Sequence, residues 1–133
     1  MIPVNLKAYK VTELSFRNNH ENGFKTELDK KVSYMVKYSN NNICNGTLTA
    51  EMFDKNNPDK FGIKLVLSGI FEFDNSLIKE KVHILTFKEL FPIGRSIIAT
   101  TSCNAGVPPM ILPNVDIESE TICRYDPNAL NGG

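Results

Sequence analysis

Four segments of the chain alternate apolar and polar residues, which is the pattern of a β-strand with one buried face. The longest covers residues 61–73, and Gly69 within it predicts a bend. Two shorter segments cover residues 32–38 and 47–53. The earliest, residues 6–16, carries its apolar residues in two opposite phases, which predicts a β-bulge between them. The short connections predict an antiparallel sheet, either a meander or a close relative of one.

Polar stretches rich in Asn, Gly and Pro separate these strands. Residues 18–31 show no sustained period and are predicted to form a connection. Two turns could close the hairpin between the second and third strands, residues 40–42 or Asn45-Gly46, and the sequence does not choose between them. Asn45-Gly46-Thr47 also fits an N-glycosylation sequon, which we interpret as a turn because the first residues lack the features of a signal peptide.

After the fourth strand the apolar period changes to three or four residues, which predicts helix. Residues 77–85 and 91–105 carry such stripes, either as two helices or as one broken helix. Pro92 suits the first turn of the second helix, and Gly106 suits the position just after its end. Three polar residues are expected outside the second stripe: Arg95, Ser96 and Ser102.

The segment after the helical region is apolar but rich in proline. Residues 107–113 interleave three prolines with Met, Ile and Leu, which predicts an extended segment that lies across another element and is not a central strand. Residues 114–133 are polar and are expected to fray. We therefore expect one domain over residues 1–126 and a flexible tail over residues 127–133.

Composition narrows the class of protein. A chain of 133 residues with 41% hydrophobic and 23% charged residues is typical of one globular domain. Its 15 basic and 15 acidic side chains cancel, so it lacks the positive field that drives nucleic-acid binding. Because no apolar run reaches membrane-spanning length, we expect a cytoplasmic protein without stable membrane insertion.

Catalytic and metal-binding motifs are not apparent in the sequence. It has no nucleophile elbow, no phosphate-binding loop, no dinucleotide-binding loop and no HExxH motif. Cys44, Cys103 and Cys123 are widely spaced, and His20 and His83 are isolated. This spacing favours reduced thiols and predicts no metal site, no cofactor and no enzymatic activity.

One acidic run could support chemistry. Asp116, Glu118 and Glu120 alternate and could bind a divalent ion or act in acid–base catalysis, although a solvated surface is the simpler interpretation. The number of large apolar residues is more informative. Each one could pack in a core, but together they predict a subunit interface or an exposed apolar groove. These residues are Phe61, Phe71, Phe73, Tyr34, Tyr38, Leu77, Phe91, Met110 and Leu112.

Several motifs resemble the bacterial protein-export chaperone SecB. Residues 90–98 (LFPIGRSII) resemble the family's LFPxAR helix start, and residues 106–116 (GVPPMILPNVD) resemble its glycine and proline segment with the PVNF-like stretch that follows. Residues 12–16 (TELSF) resemble its first-strand ISFE segment, and residues 68–71 (SGIF) its GGIF segment. The resemblance spans about residues 6–117 in the same order.

The resemblance implies an α+β subunit with a four-stranded antiparallel sheet and helices packed on one face. It also implies a homodimer or homotetramer that has no catalytic activity, uses no ATP and holds unfolded client polypeptides in apolar grooves. Burial of a few large side chains per subunit, repeated over several subunits, would give tight and sequence-tolerant binding. Together with the apolar surplus, the resemblance assigns client binding to Val32, Tyr34, Val36, Phe71, Phe73, Leu77, Ile78, Phe91, Met110 and Leu112.

Partner contacts follow from the same resemblance. Typical members deliver clients to the translocation ATPase SecA, which docks on an acidic sheet face where this chain keeps only Glu13. Arg17 and Lys64 stand where acidic residues are usual, and only sixteen residues follow Ile117, too few for the family's long second helix and tail. A dedicated client such as an antitoxin, or one fixed partner of a non-catalytic adaptor, is therefore a further expectation. The residues expected at a subunit interface are Arg95, Ile97, Ile98 and Thr101.

Overall fold

The structure is a computed structural model that describes residues 3–20 and 27–117. It contains four strands followed by one helix. Their bounds are β1, Val4–Asn18; β2, Leu28–Tyr38; β3, Ile43–Asp54; β4, Phe61–Phe73; and α1, Lys79–Asn104.

The four strands form one sheet in the order β1-β4-β3-β2, and every neighbouring pair is antiparallel. Strands β2 to β4 form a meander, and β1 adds to the far side of β4, so β1 and β2 are the two edges. Helix α1 contacts all four strands. The predicted α+β class, a four-stranded antiparallel sheet with its helical layer on one face, is confirmed, with one helix in the described residues.

Strand β1 contains the predicted bulge and a second one. The pairing with β4 shifts by one residue between Val11 and Glu13, and again between Leu6 and Ala8. The first shift leaves Thr12 as an extra residue, so that Val11 pairs with Leu67 and Leu14 with Leu65, which lie on one face of β4. The bulge therefore brings the two apolar phases of β1 onto the same side of the sheet.

The asparagine turn, and not Asn45-Gly46, closes the hairpin between β2 and β3. Asn41 and Asn42 have φ angles of 64° and 58°, the left-handed conformation that asparagine tolerates and that a tight hairpin requires. Asn45 and Gly46 lie inside β3, so the interpretation of the sequon as a turn is wrong. The third strand also begins earlier than predicted, at Ile43, because these residues pair with both β2 and β4.

The predicted connection over residues 18–31 is shorter than expected. Residues 28–31 belong to β2 and pair with residues 51–54 of β3, and Asn18 is the last residue of β1. Although residues 28–31 lack a strong apolar alternation, the long β3 strand offers them partners. Residues 21–26 lie outside the described residues.

Helix α1 is continuous, which corrects the expectation of two helices or a broken one. Pro92 lies inside it and not in a first turn. Phe91 and Gly94, on either side of Pro92, are buried, whereas Pro92 itself is exposed. Packing against the sheet on both sides of the proline therefore keeps one helix. Gly106 follows the C-cap with a φ of 93°, which confirms its predicted place just after the helix.

The core lies between α1 and the alternating apolar face of the sheet. At Gly94 the helix approaches the strands closely, since an added Cβ would lie 3.0 Å from Leu48 Cδ2 and 3.6 Å from Leu65 Cδ2. The glycine therefore sets the separation of the two layers. The largest fully buried apolar side chains are Phe71, Leu48, Ile63, Leu65, Leu67, Leu90, Ile98, Leu112 and Val82.

Candidate functional site

The predicted client-binding residues of β2 face α1 and are buried within the chain. Tyr34 is the best-defined, because its hydroxyl donates a 2.6 Å hydrogen bond to Thr86 Oγ1. Its ring meets the edges of His83 and Phe87, with centroids 5.2 and 5.3 Å away. Burial raises the pKa of Tyr34, and the hydrogen bond from its hydroxyl to Thr86 only partly opposes that shift. Val32 and Val36 are 5% and 8% exposed.

The other predicted client-binding residues fall into two groups. Phe71, Phe91, Met110 and Leu112 are buried, and the Phe91 ring stacks on Phe87 at a centroid separation of 5.0 Å. The second group lies at the connection from β4 to α1 and is more accessible to solvent: Phe73 and Leu77 are half-buried, and Ile78 is 66% exposed. The structure thus brings most of these residues together around α1, where they pack against one another and against other side chains of the same chain. Their role in client binding stays a prediction.

Residues 107–117 form an extended segment that turns back along the second half of α1; we call it the strap. The backbone N–H of Met110 donates to Ser102 Oγ at 2.8 Å. Arg95 Nε donates to the Leu112 carbonyl at 2.8 Å, and Arg95 Nη1 donates to Asn114 Oδ1 at 3.0 Å. These contacts confirm that the segment is extended and lies across another element.

Ser102 corrects the predicted helix stripe. It is fully buried, although the pattern placed it outside the apolar face. Its hydroxyl donates to the Ile98 carbonyl at 2.9 Å and accepts the Met110 N–H, so both hydrogen-bonding roles are filled. A polar residue is therefore buried here because the strap needs an acceptor at that position.

The residues predicted for partner contacts occupy different surroundings. Arg95 binds the strap, and Ile98 is fully buried in the core. Ile97 and Thr101 are half-buried. Glu13 is exposed on β1, where its carboxylate lies 3.4 Å from Lys64 Nζ. Lys64 therefore places a positive charge beside the one acidic residue that the sequence predicted for partner docking. The predicted partner contacts themselves stay predictions.

An exposed apolar surface on β1 was not predicted from the sequence. Tyr9, Val11 and Leu14 pair with Gly69, Leu67 and Leu65, so they share the face that carries α1. They are 53%, 40% and 43% exposed, and we call them the β1 strip. The bulge was the signal that could have revealed it, because it joins the two apolar phases into one strip. These side chains lie where α1 leaves the edge of the sheet open.

The second half of α1 adds an uncharged surface. No charged residue occurs between Arg95 and Asp116. The exposed residues of this part of the helix are uncharged: Ser96, Thr100, Cys103 and Asn104. Together with the β1 strip, they give the helical side of the sheet a surface with few charges to desolvate, which suits protein contacts.

A buried pair of titratable groups lies at the far end of the sheet. His20 Nε2 is 2.7 Å from Asp54 Oδ2, and the His20 ring stacks on Phe61. Burial opposes ionisation of Asp54, but hydrogen bonds from the Asn56 backbone and from His20 outweigh it, so the pKa of Asp54 lies below its usual value. The pair fastens the end of β1 to the end of β3.

The described residues show no group of three or more His, Cys, Asp or Glu side chains that could hold a metal ion. Of the acidic run, Asp116 is described and exposed, and Glu118 and Glu120 lie outside the described residues. Among the helices described, none is long and apolar enough to cross a membrane.

Comparisons with known proteins identify the fold. No model of a known protein family matches the chain, and no curated protein matches its sequence. The structure is similar to a SecB-like chaperone of Mycobacterium tuberculosis, solved in complex with a ChAD peptide from the HigA1 antitoxin. The TM-score is 0.65 at 10% sequence identity, over 86% of this chain and 88% of that chain. The fold is SecB-like.

A protein of unknown function from Streptococcus agalactiae is a more distant structural match, with a TM-score of 0.47 and 15% identity over 84% of this chain and 97% of that one. The SecB-like fold agrees with the motif resemblance in the sequence. In this chain the strap and the β1 strip both lie on the helical side of the sheet.

Proposed function

We propose that the chain is an ATP-independent chaperone that holds an unfolded or partly folded polypeptide without catalysing a reaction. The observation that carries the proposal is the apolar surface on the helical side of a SecB-like sheet. Tyr9, Val11, Leu14 and Ile78 are each at least 40% exposed there or beside it. A holdase acts by binding the unfolded state of its client, for which it needs accessible apolar area and no reactive group.

We further propose that the chain acts in the cytoplasm and serves a dedicated client, such as an antitoxin. The Mycobacterium tuberculosis neighbour was solved with an antitoxin peptide, which supports this choice. The surface around Glu13 supports it as well, because Lys64 pairs with that carboxylate and the chain has no net charge. Typical SecB chaperones present an acidic sheet face to SecA, so delivery to the export machinery is the less supported role.

The working form is proposed to be a homodimer or homotetramer. Strand β1 is an edge strand, and its exposed strip is continuous with the side of the sheet that α1 only partly covers. A second copy would shield this edge, which is a common solution for an unpaired strand. Multi-angle light scattering of the purified chain tests this. A monomer at micromolar concentration would contradict it.

The holdase proposal is tested by suppression of aggregation. A chemically unfolded protein is diluted into buffer with and without the chain, and light scattering is followed over time. We expect scattering to fall as the chain approaches stoichiometric amounts, without ATP. Absence of suppression by chain that is folded by circular dichroism would contradict the proposal.

The second candidate is a non-catalytic adaptor with one fixed protein partner. It is favoured by the burial of most predicted client-binding side chains, which leaves a restricted exposed surface. A single stoichiometric partner, together with no affinity for generic unfolded chains, would support the adaptor over the holdase.

A further inference from the structure

The seat of the strap has the chemistry of a binding site for an extended polypeptide. Ser102 Oγ accepts a hydrogen bond from a backbone N–H, that of Met110, and Arg95 Nε donates to a backbone carbonyl, that of Leu112. Every residue except proline offers both groups, so neither contact requires the strap's own sequence. The hydrogen bond from Arg95 Nη1 to Asn114 Oδ1, by contrast, involves a strap side chain.

The apolar contacts of the strap repeat this pattern. Met110 and Leu112 are 5% and 0% exposed, whereas Ile111 between them is 56% exposed. The seat therefore accepts apolar side chains at alternate positions of an extended chain, which is the spacing that an extended backbone provides. Any unfolded polypeptide with two large aliphatic residues two positions apart offers the same combination of groups.

The backbone of the strap makes few hydrogen bonds with the backbone of the rest of the described chain. Between residues 108 and 115 it makes no backbone-to-backbone hydrogen bond with the rest of the described chain, and the last such bond runs from Val107 N to the Ser102 carbonyl. Its prolines also prevent it from adding to the sheet as a regular strand. The strap is therefore held by the buried side chains of Met110, Leu112 and Ile117 and by the Ser102 and Arg95 contacts. Residues 108–115 carry only the first two of these side chains, and they can leave their seat without breaking a strand or helix.

We propose that the strap occupies a client site as an internal competitor, and that an extended client segment with aliphatic residues at positions i and i+2 displaces it. The inference rests on the proposed holdase function and deepens it by naming the site and the segment it takes. The client's N–H at position i would bond Ser102, and its carbonyl at position i+2 would bond Arg95. The measured affinity is then the intrinsic affinity multiplied by the fraction of molecules whose strap is released.

Strap substitutions test the inference, because the direction of the effect separates the two roles that Met110 and Leu112 could have. If their side chains compete with the client, Met110→Ser and Leu112→Ser each raise the affinity for client by about tenfold or more, since each loses a buried side chain. If these side chains instead line a groove for the client, the same changes lower the affinity. Asn114→Ala removes the hydrogen bond from Arg95 Nη1 to Asn114 Oδ1 and should raise the affinity by about two- to fivefold.

The probe is fluorescently labelled, reduced and carboxymethylated α-lactalbumin, with binding followed by fluorescence anisotropy. Ile111→Ser is the matched control, because this strap side chain is exposed, and it should leave the affinity unchanged. In the Met110→Ser background, Arg95→Ala should lower the affinity again, because the seat then lacks its donor. Circular dichroism and light scattering confirm fold and mass for each variant, and Asn114→Ala decides the outcome if Leu112→Ser does not fold.

The outcomes distinguish this inference from the function on which it rests. Wild-type chain that binds the probe, with folded strap variants of equal or lower affinity, overturns the competitor role alone. Failure of the wild-type chain and of every folded variant to bind the probe overturns the holdase function and the competitor role together. Tighter binding by the strap variants, with no change for Ile111→Ser, supports both.

Discussion

The packing of Tyr34 over Gly46 gives a sharp test of the core. The two residues lie on neighbouring strands, and the Tyr34 ring lies across the face of Gly46. A Cβ at position 46 would overlap Tyr34 Oη and lie 2.9 Å from Cζ and 3.1 Å from Cε1. In Gly46→Ala the ring must therefore move, and the hydrogen bond from its hydroxyl to Thr86 is lost.

Two effects set the size of the expected change. Overpacking a core destabilises by roughly 1 to 3 kcal/mol, and a lost internal hydrogen bond adds about 0.5 to 1.5 kcal/mol. Alanine is favoured over glycine in a strand by only about 0.5 to 1 kcal/mol, which offsets part of this. We expect Gly46→Ala to lower the free energy of unfolding by about 2 kcal/mol, the middle of the range that these effects allow. Urea unfolding followed by circular dichroism measures it.

The control and the refutation use the same assay. Gly69→Ala should be milder, because the nearest atom to its new Cβ is the Leu90 Cδ1 methyl at 2.9 Å, whereas a Cβ at position 46 overlaps Tyr34 Oη outright. In a Tyr34→Phe background the overlapping hydroxyl is absent, so Gly46→Ala should destabilise by at least about 1 kcal/mol less than in the wild type. Equal destabilisation in the two backgrounds would show that the tyrosine hydroxyl is not the obstacle.

Three further predictions follow from burial and charge. Folding lowers the pKa of Asp54, so its contribution to stability is complete above its unfolded pKa and is lost as the pH falls through the folded value. Unfolding free energies should therefore decline below about pH 4, and this decline should be shallower in Asp54→Asn. Burial raises the pKa of the Cys44 thiol to about 12, so this thiol should react slowly with alkylating reagents at pH 8. Mass spectrometry should find the exposed Cys103 modified and Cys44 protected until urea is added. Labelling of Cys44 without urea would contradict its burial. Val11 is 40% exposed, so Val11→Ser should lower the free energy of unfolding by no more than about 1 kcal/mol. It should also reduce the mass measured by light scattering, and an unchanged mass would contradict a place for the β1 strip in the proposed contact between copies.

Local sequence patterns predicted the sheet well, because the alternation of apolar and polar residues within each strand shows which of its faces is buried. The alternation from Phe61 to Phe73 gave the bounds of β4, and the phase change in β1 gave the bulge near Thr12. The second bulge, near Lys7, was missed because too few apolar residues precede it to define a phase. The continuity of α1 through Pro92 was missed because it depends on contacts with the sheet.

The candidate site was harder to predict because its contacts are not local. The proline segment was correctly expected to be extended, but its anchors at Ser102 and Arg95 precede the strap residues they bind by 8 and 17 positions. The exposure of Tyr9 and Leu14 depends on the path of α1 across the sheet, which no pattern within β1 contains. Sequence patterns thus identified the apolar residues but not which of them stay open.

The two interruptions in β1 also bear on how this chain avoids forming fibres. An edge with unpaired backbone groups and apolar side chains invites further chains to add without limit, as in amyloid. Extra residues at Lys7 and Thr12 break the even spacing of the edge and increase its local twist. Because few alignments with a neighbouring strand then remain possible, we expect growth along this edge to stop after one or a few added chains.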